Sequence, residues 1–196
     1  EAGKTVLQKT SFNFSSFIRE MYHSFESVAD NREIRFVLDN ELPETYKVCF
    51  DEAEIEKVFF NLLSNAFKFT PSEGQVTIRV NTVTQAECEL LPHFPAQYSS
   101  ILIEAGYLFI EVIDTGKGFS EQEAEKIFEP FYRSQEDIHR QISGTGIGLS
   151  LTRSIILQHN GCIWTESSET EGTRFMFLLP DTEKQEEGKN ESPVLS

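Results

Sequence analysis

The sequence predicts an α+β fold: a two-layer α/β sandwich with a mixed, mostly antiparallel sheet covered on one face by about three helices. Helical periodicity is strong in three segments, near residues 15–29, 51–70 and 146–160. Between them lie short segments that alternate apolar and polar residues, several arranged as neighbours in hairpins. No apolar run approaches 18 residues, so a membrane-spanning helix is not expected.

The elements of the first half follow from caps and periodicity. Phe12 and Phe14 alternate with polar residues and predict a short strand, after which Ser15 or Ser16 caps a helix to about Ala29. The residues predicted to point inward are Phe17, Met21, Phe25 and Val28. Strands are predicted at 34–38 and 46–50, separated by a turn at 40–43. Asp51, with Glu54 three residues later, begins the next helix, and Pro71–Gly74 ends it.

The second half contains one irregular segment among regular elements. Strands are predicted at 75–83 and 107–114, a short helix near 120–127, a helix at 146–160 closed by Asn160-Gly161, and strands at 162–167 and 173–179. Residues 84–105 contain Pro92 and Pro95 and predict a hairpin extension or loop, to which we assign no function. The polar residues 132–144 predict a mobile lid-like loop.

Charge restricts the classes of partner. The chain carries −15, and its last sixteen residues, with five acids and two bases, account for −3 and leave −12 on residues 1–180. Such an acidic surface argues against non-specific nucleic-acid binding and against contact with an anionic membrane. Three widely spaced cysteines indicate a reducing compartment rather than a disulfide framework. By composition, residues 181–196 form a flexible acidic linker.

The segment VFFNLLSNAFKFT, residues 58–70, combines an apolar stripe with a polar row. Asn61, Asn65 and Lys68 are spaced by four and three, so a helix stacks their side chains in one row. Amide oxygens suit Mg²⁺ and the ammonium suits phosphate oxygens. An amphipathic helix with a polar flank explains this segment equally well. The predicted apolar stripe consists of Val58, Phe59, Leu62, Leu63, Ala66 and Phe69.

Asp114 ends a strand whose other residues on the same face are apolar. In the sequence DTGKGF a buried carboxylate requires a donor, and Gly116 and Gly118 permit the close approach of a flat ligand. The exocyclic amine of adenine is such a donor, whereas guanine would present an oxygen. A simple Asx-turn is the alternative.

Two further motifs point to phosphate. Glycines at 144, 146 and 148 precede a helix whose N-terminal N–H groups can receive an anion, although a flexible hinge explains them equally well. Their spacing matches neither the P-loop nor the dinucleotide pattern. In FEPFYR, the aromatic residues are expected to anchor one end of the lid. Arg133 is a candidate for a terminal phosphate, with a solvated surface charge as the alternative.

Together, NLLSNAFKFTP, DTGKGF, FEPFYR and GTGIGLSLTRSIILQHNG resemble the N, G1, F and G2 boxes of the ATP-binding catalytic domain of sensor histidine kinases. The resemblance covers about residues 10–180 and implies the Bergerat fold with a mobile ATP lid. It also implies that residues 1–9 end an upstream helical linker, and that the acidic tail is a linker to a receiver domain in a hybrid protein. Its cofactors would be ATP and Mg²⁺.

Carried over by position, the resemblance assigns roles to residues. Asn61 and Asn65 would hold Mg²⁺ and phosphate oxygens, Lys68 the phosphates, Arg133 the γ-phosphate and Asp114 the adenine. Asn61, Lys68 and Arg133 would form the catalytic set. The remaining nucleotide-binding residues would be Phe69, Gly116, Gly118, Gly144, Thr145, Gly146, Gly148 and Leu149.

One departure from the family, besides the long segment 84–105, and one feature that separates its subclasses shape the functional prediction. The family's phosphate acceptor is a histidine followed by an acidic residue on the helical dimerisation domain, and no histidine of this chain has that context. The chain should therefore bind ATP without phosphorylating itself. The hydrolytic relatives typically carry a glutamate where Asn61 lies, and an amide cannot serve as a general base. We therefore expect phosphotransfer to an external histidine rather than hydrolysis.

The resemblance also implies partners and location. The expected partners are the histidine-bearing dimerisation domain of the parent protein and a downstream response regulator. The fragment is expected to be a monomer and its parent a homodimer. The fragment would be a cytoplasmic domain of a membrane-bound protein. The alternatives are an ATPase of the chaperone or topoisomerase type and a nucleotide-binding docking module without phosphotransfer.

Overall fold

A five-stranded mixed sheet forms the centre of the protein. The computed structural model describes residues 6–124, 126–133, 145–168 and 170–181. The strands are β1 (Thr10–Asn13), β2 (Arg35–Asn40), β3 (Lys47–Phe50), β4 (Gln75–Thr84), β5 (Gly106–Asp114), β6 (Cys162–Ser168) and β7 (Gly172–Pro180). The helices are α1 (Phe14–Asn31), α2 (Glu52–Phe69), α3 (Gln85–Cys88), α4 (Glu121–Ala124) and α5 (Gly148–Gln158), with 3₁₀ turns at Ala96–Ile101 and Lys126–Phe128.

The strand order of the large sheet is β2-β4-β5-β7-β6, and β1 pairs with β3 in a separate two-stranded sheet. Only β2 and β4 are parallel in the large sheet; its other pairs are antiparallel. The α+β sandwich and the mixed, mostly antiparallel sheet predicted from the sequence are confirmed. In the described residues no helix is long and apolar enough to cross a membrane.

The larger core lies between the sheet and the helices α1, α2 and α5. In α2 one face is fully apolar and buried, with Ile55, Phe59 and Leu63 completely enclosed. The row Leu108, Ile110 and Val112 of β5 points into this layer, as the alternation of the sequence predicts. This core therefore fixes the inward side of both α2 and β5.

A second, smaller core covers the other face of the sheet, and the sequence did not predict it. The segment 85–102, predicted as an irregular loop, packs over Phe109, Trp164 and Met176. Trp164 Nε1 donates to the carbonyl oxygen of Pro92 at 3.0 Å. The residues between β4 and β5 therefore form a cap on the outer face, opposite the helices.

Three local predictions about helices were wrong, two in α1 and one in α2. Asn13, rather than Ser15 or Ser16, caps α1, because its Oδ1 accepts from the N–H of Ser16 at 2.8 Å. Val28 is 39 % exposed, and the neighbouring Ala29 is buried in its place.

In α2 the inward aromatic residue near the end of the helix is Phe67 rather than Phe69. Phe69 is half-buried at the last helical position. Its ring therefore lies outside the buried apolar face of α2, contrary to the prediction, and contributes to the surface at the end of the helix.

Candidate functional site

Asp114, at the end of β5, is a carboxylate buried in an apolar row. It is 4 % exposed, and its Oδ1 accepts from the backbone N–H of Gly116 at 2.8 Å. Burial raises the pKa of the Asp114 carboxyl to about 6, and backbone hydrogen bonds from Gly116 and Thr173 act in the opposite direction. No described side chain forms a salt bridge with it. The charge of the carboxylate is therefore balanced only by backbone dipoles.

Glu111, three residues earlier on the same strand, is also a buried carboxylate, but it lies beside two arginines. It is 3 % exposed, and its carboxylate lies 3.3 Å from Arg79 Nη1 and 3.6 Å from Arg174 Nε. Two equally buried acids on one strand thus have opposite surroundings. Glu111 has the pairing expected of a structural charge, whereas Asp114 has the backbone donors but lacks a described cation.

Close backbone packing around Asp114 explains the glycines of this region. A Cβ at Gly116 would lie 2.7 Å from Asp114 Oδ1 and 2.8 Å from the carbonyl oxygen of Phe69. A Cβ at Gly118, where φ is +59°, would lie 1.9 Å from the carbonyl oxygen of Ser168. Gly116 therefore brings the loop to the end of α2, and Gly118 brings it to β6.

Two residues of β7 that the sequence analysis did not select complete this region. Gly172, with φ of +91°, has no room for a Cβ, which would lie 2.0 Å from the carbonyl oxygen of Asp114. Thr173 pairs with Asp114 in the sheet, and its buried hydroxyl lies 3.1 Å from Ser167 Oγ. The Gly-Thr pair before the last apolar strand is the sequence signal that would have pointed to them.

The polar row of α2 is confirmed as a half-buried row beside the core. Asn61, Asn65 and Lys68 are each partly exposed. Asn61 Nδ2 donates to the carbonyl oxygen of Gly148 at 3.3 Å and to Thr152 Oγ1 at 3.5 Å. Asn61, the first polar residue of the row, is thereby fixed against the beginning of α5. Because its amide nitrogen makes both bonds, its amide oxygen can accept a hydrogen bond or bind a metal ion.

The other end of the row holds an aromatic ring with two cations. Lys68 Nζ lies 4.8 Å from the centroid of the Phe69 ring, and Lys117 Nζ lies 5.5 Å from it. Lys117 was not selected from the sequence, although it is the only base within DTGKGF. The end of α2 and the loop after β5 therefore place two ammonium groups beside one half-buried ring.

The N-terminus of α5 has the features of an anion site. Its N-cap residue, Ile147, makes no side-chain capping bond, so the first N–H groups of the helix do not receive a cap from it. Thr145 is exposed, Gly146 and Gly148 are partly exposed, and Leu149 packs against the main core.

The two ends of the predicted lid meet in a backbone hydrogen bond. The N–H of Phe131 donates to the carbonyl oxygen of Gly146 at 2.9 Å, and Gly146 has φ of +72°. Most of the predicted lid, including Gly144, lies outside the described residues. Arg133 is half-buried at the end of a described range.

The aromatic residues of FEPFYR, expected to anchor one end of the lid, are Phe128, Phe131 and Tyr132. Tyr132 is half-buried, and its hydroxyl donates to Glu123 Oε1 at 3.2 Å. Phe128 is buried, with its ring centroid 6.3 Å from that of Phe175. Phe131 is 73 % exposed, so the prediction for it was wrong.

These three regions meet along α2. The loop after Asp114 contacts the helix at Phe69, and the beginning of α5 contacts it at Asn61. Eight residues of helix, or about 12 Å, separate the two contacts. The described residues contain no cluster of His, Cys, Asp and Glu that could hold a metal ion, so a hard cation here would depend on amide and ligand oxygens.

Comparison with known proteins agrees with this geometry. Residues 50–183 match the family model described as histidine kinase-, DNA gyrase B-, and HSP90-like ATPase. The chain is 32 % identical over 145 residues (74 % of the chain, 21 % of the relative) to the sensor histidine kinase WalK of Bacillus subtilis. It is 28 % identical over 180 residues (92 % of the chain, 19 % of the relative) to the autoinducer 2 sensor kinase/phosphatase LuxQ of Vibrio parahaemolyticus. The chain thus spans about a fifth of the length of these relatives.

Solved structures show the same fold. The catalytic domain of the histidine kinase ThkA superposes with a TM-score of 0.69 at 28 % identity, covering 91 % of this chain and 99 % of that domain. ThkA has also been solved in complex with the response regulator TrrA, with a TM-score of 0.67 at 28 % identity over 94 % of this chain and 45 % of that one. The chain therefore belongs to the family of histidine kinase-, DNA gyrase B- and HSP90-like ATPases, as an ATP-binding catalytic domain of the histidine kinase type.

Proposed function

We propose that this domain binds Mg-ATP along α2 and positions the γ-phosphate for transfer to a histidine on a separate helical domain. The observation that carries the proposal is the Asp114 carboxylate, buried at 4 % exposure with backbone donors and no described cation beside it. The exocyclic amine of adenine would donate to this carboxylate, and guanine would not. Asp114 would therefore select the base.

The rest of the nucleotide would extend along α2 towards α5. Asn61 and Asn65 would hold Mg²⁺ together with phosphate oxygens, Lys68 would contact the phosphates, and Arg133 would reach the γ-phosphate. The metal would neutralise charge on the phosphate oxygens. Gly144, Thr145, Gly146 and Gly148 would bring N–H groups to the phosphates, with Leu149 holding α5 on the core. Phe69, Gly116 and Gly118 would line the base site.

The transfer itself requires little acid–base chemistry from this chain. The imidazole nitrogen of the acceptor attacks the γ-phosphorus in line, and the bond to the β-γ bridging oxygen breaks, releasing ADP. Asn61 cannot activate water as a carboxylate base could, which favours transfer over hydrolysis. The described histidines favour an external acceptor, because His159 is buried and neither His23 nor His93 is followed by an acidic residue.

The wider setting forms part of the same proposal. The acceptor would belong to the dimerisation domain of a homodimeric, membrane-bound parent whose cytoplasmic part includes this domain, residues 10–180. Residues 1–9 would end the linker from that dimerisation domain, and residues 181–196 would lead towards a receiver domain. A response regulator would receive the phosphate, as the complex of ThkA with TrrA suggests by similarity.

The proposal is tested by supplying the parent's dimerisation domain in trans with γ-labelled ATP. We expect acid-labile, base-stable label on the added domain when the unaltered chain is present, and little with Asp114→Asn. An Asp39→Asn variant, which changes a half-buried carboxylate paired with Arg79 on the edge strand β2, is the matched control and should retain transfer. Unlabelled partner with brisk release of inorganic phosphate would instead identify an ATPase.

A further inference from the structure

A buried threonine of α5 lies beside Asn61 of α2. The buried residues of α5 are Thr152, Ile155 and Ile156, and Thr152 is completely enclosed. A hydroxyl in such a place costs free energy unless it has a partner, whereas a valine would fill nearly the same volume without that cost. Packing of α5 against the core therefore does not by itself explain a threonine at this position.

The Thr152 hydroxyl contacts the side-chain amide of Asn61. Asn61 Nδ2 lies 3.5 Å from Thr152 Oγ1 and 3.3 Å from the carbonyl oxygen of Gly148, and these two acceptors are about one turn apart on α5. A carbonyl oxygen can only accept, so the amide presents its nitrogen to α5, and the hydroxyl oxygen accepts from the same NH₂ group. Both bonds are longer than the usual range, so each alone is weak and the orientation depends on having the two together.

The orientation of this amide decides which of its atoms faces the proposed phosphate site. Asn61 Oδ1 lies beside Gly148 at the beginning of α5, where a Cβ on the glycine would be 3.3 Å from it. Rotation of the amide by half a turn would exchange the oxygen for an NH₂ group, which presents hydrogens and cannot ligate a metal ion. A group that holds the nitrogen on α5 therefore keeps the oxygen available to a cation.

We propose that Thr152 is a positioning residue for Asn61, holding the amide nitrogen so that the amide oxygen binds Mg²⁺ in the complex with Mg-ATP. This inference rests on the proposed function and adds to it a residue that touches neither the nucleotide nor the metal, because its side chain is enclosed between the helices and the core. Thr152 should therefore act on the Mg²⁺ dependence of ATP binding rather than on ATP binding in general.

The first test separates the hydroxyl from the shape of the side chain. Thr152→Val keeps the shape and removes the acceptor, whereas Thr152→Ser keeps the hydroxyl and removes a methyl group. In calorimetry we expect Thr152→Val to lower Mg-ATP affinity about threefold to tenfold, the effect of one neutral hydrogen bond, and to leave ATP binding in EDTA unchanged. Thr152→Ser should be less stable in urea and yet keep the Mg²⁺ dependence of the unaltered chain. Thr82→Val, at an exposed position in β4, is the matched control and should change neither quantity.

A second test asks whether Thr152 acts through Asn61. In an Asn61→Ala background, Thr152→Val should have no further effect on Mg-ATP affinity. The side-chain amide protons of Asn61 give a readout that needs no nucleotide: they should exchange with solvent faster in Thr152→Val than in Thr152→Ser or the unaltered chain. An additive loss of affinity in the double variant, or equal exchange rates in the three chains, would overturn the positioning role.

The outcomes separate this inference from the function on which it rests. If the unaltered chain fails to bind Mg-ATP, the proposed function is overturned and the inference with it. If Mg²⁺ increases the ATP affinity of the unaltered chain and of Thr152→Val by the same factor, only the role of Thr152 is overturned. A smaller Mg²⁺ effect in Thr152→Val, together with an unchanged effect in Thr152→Ser, would support the role.

Discussion

The side-chain amide of Asn61 in α2 donates to the carbonyl oxygen of Gly148, the first residue of α5, over 3.3 Å. A Cβ at Gly148 would lie 3.3 Å from Asn61 Oδ1, so a larger residue there would crowd the amide. The contact joins the proposed metal-binding row to the proposed phosphate-binding helix end. It holds the Asn61 side chain in one orientation before any ligand arrives, which lowers the entropic cost of binding.

Asn61→Ala should reduce the amount by which Mg²⁺ increases the affinity for ATP. Without the amide oxygen, the metal loses a ligand, and we expect Mg-ATP affinity to fall on the order of tenfold to a hundredfold. Binding measured in EDTA should change little. Calorimetry with and without Mg²⁺ provides the comparison, and Ser64→Ala, at a half-buried position of α2 outside the polar row, is the control. An equal loss in both conditions would argue against a metal role.

Binding of adenosine should depend on pH through Asp114. The carboxyl has a pKa raised to about 6 by burial, and the ionised form accepts the hydrogen bond from the base. Affinity should therefore be highest above pH 7 and fall as the pH drops through about 6. Adenosine is used because it has no phosphate to titrate. In Asp114→Asn the weak residual binding should lack this dependence; a flat profile for the unaltered chain would contradict the assignment.

His159 should make the fold sensitive to mild acid. It is buried, its Nδ1 lies 2.8 Å from the carbonyl oxygen of Ile155, and its Nε2 accepts from the N–H of Asp51 at 3.1 Å. Burial lowers the pKa of His159 below 6.5, and Lys9 lowers it further, whereas Ile155, Asp51 and Glu54 act to raise it. Its neutral form stabilises the folded state.

This stability is present above pH 6.5 and is lost as the pH falls through the lower pKa of the folded state. His159 should therefore contribute a loss of stability below pH 6.5 in urea unfolding at a series of pH values, opposed by the gain from protonation of Asp114 below its pKa of about 6. His159→Gln should show a shallower slope, and His23→Gln, at an exposed position, should show the slope of the unaltered chain. Equal slopes for all three would exclude His159 as the cause.

The cap over the outer face of the sheet should contribute stability without contributing to the site. Trp164→Ala removes a ring that stacks near Phe109 and bonds to Pro92, and should reduce the free energy of unfolding by about 3–5 kcal/mol. Phe60→Ala, at a ring 60 % exposed, should cost far less.

Mg-ATP affinity should be unchanged in the folded fraction of both variants. Trp164 lies in the core on the outer face of the sheet, whereas Asp114 continues the row of β5 that faces the helices. Urea unfolding and calorimetry measure the two quantities separately. A loss of affinity in Trp164→Ala would show that the outer face and the site are coupled.

Much of the fold could be predicted because local chemistry and tertiary packing agree. Asp51 caps α2, Asn160 adopts the left-handed conformation after α5, and the row ending at Asp114 faces the helices, all as their sequence patterns indicate. The cap formed by 85–102 could not be predicted, because its apolar residues follow no regular period. Two of its main partners, Trp164 and Met176, lie more than fifty residues later in the chain.

The candidate site likewise contains some residues that could be predicted from the sequence and others that could not. Asn61, Asn65 and Lys68 could be found because they share one helix, where spacing fixes their relative positions. Gly172, Thr173 and Lys117 were missed, because they approach the site through sheet pairing or a turn, which spacing along one element does not reveal. Phe69 was misplaced because the helix ends at it, which turns its ring from the core to the surface.

The most direct test of the account is Mg-ATP calorimetry on Asp114→Asn with its stability measured in parallel. Asparagine removes a buried charge whose pKa is raised, so the unliganded fold at pH 7 should gain up to about 3 kcal/mol of unfolding free energy. Affinity for Mg-ATP should nevertheless fall about tenfold to a hundredfold, because the charged acceptor for the base is lost. A more stable variant with weaker binding is the predicted result, and binding equal to that of the unaltered chain would contradict it.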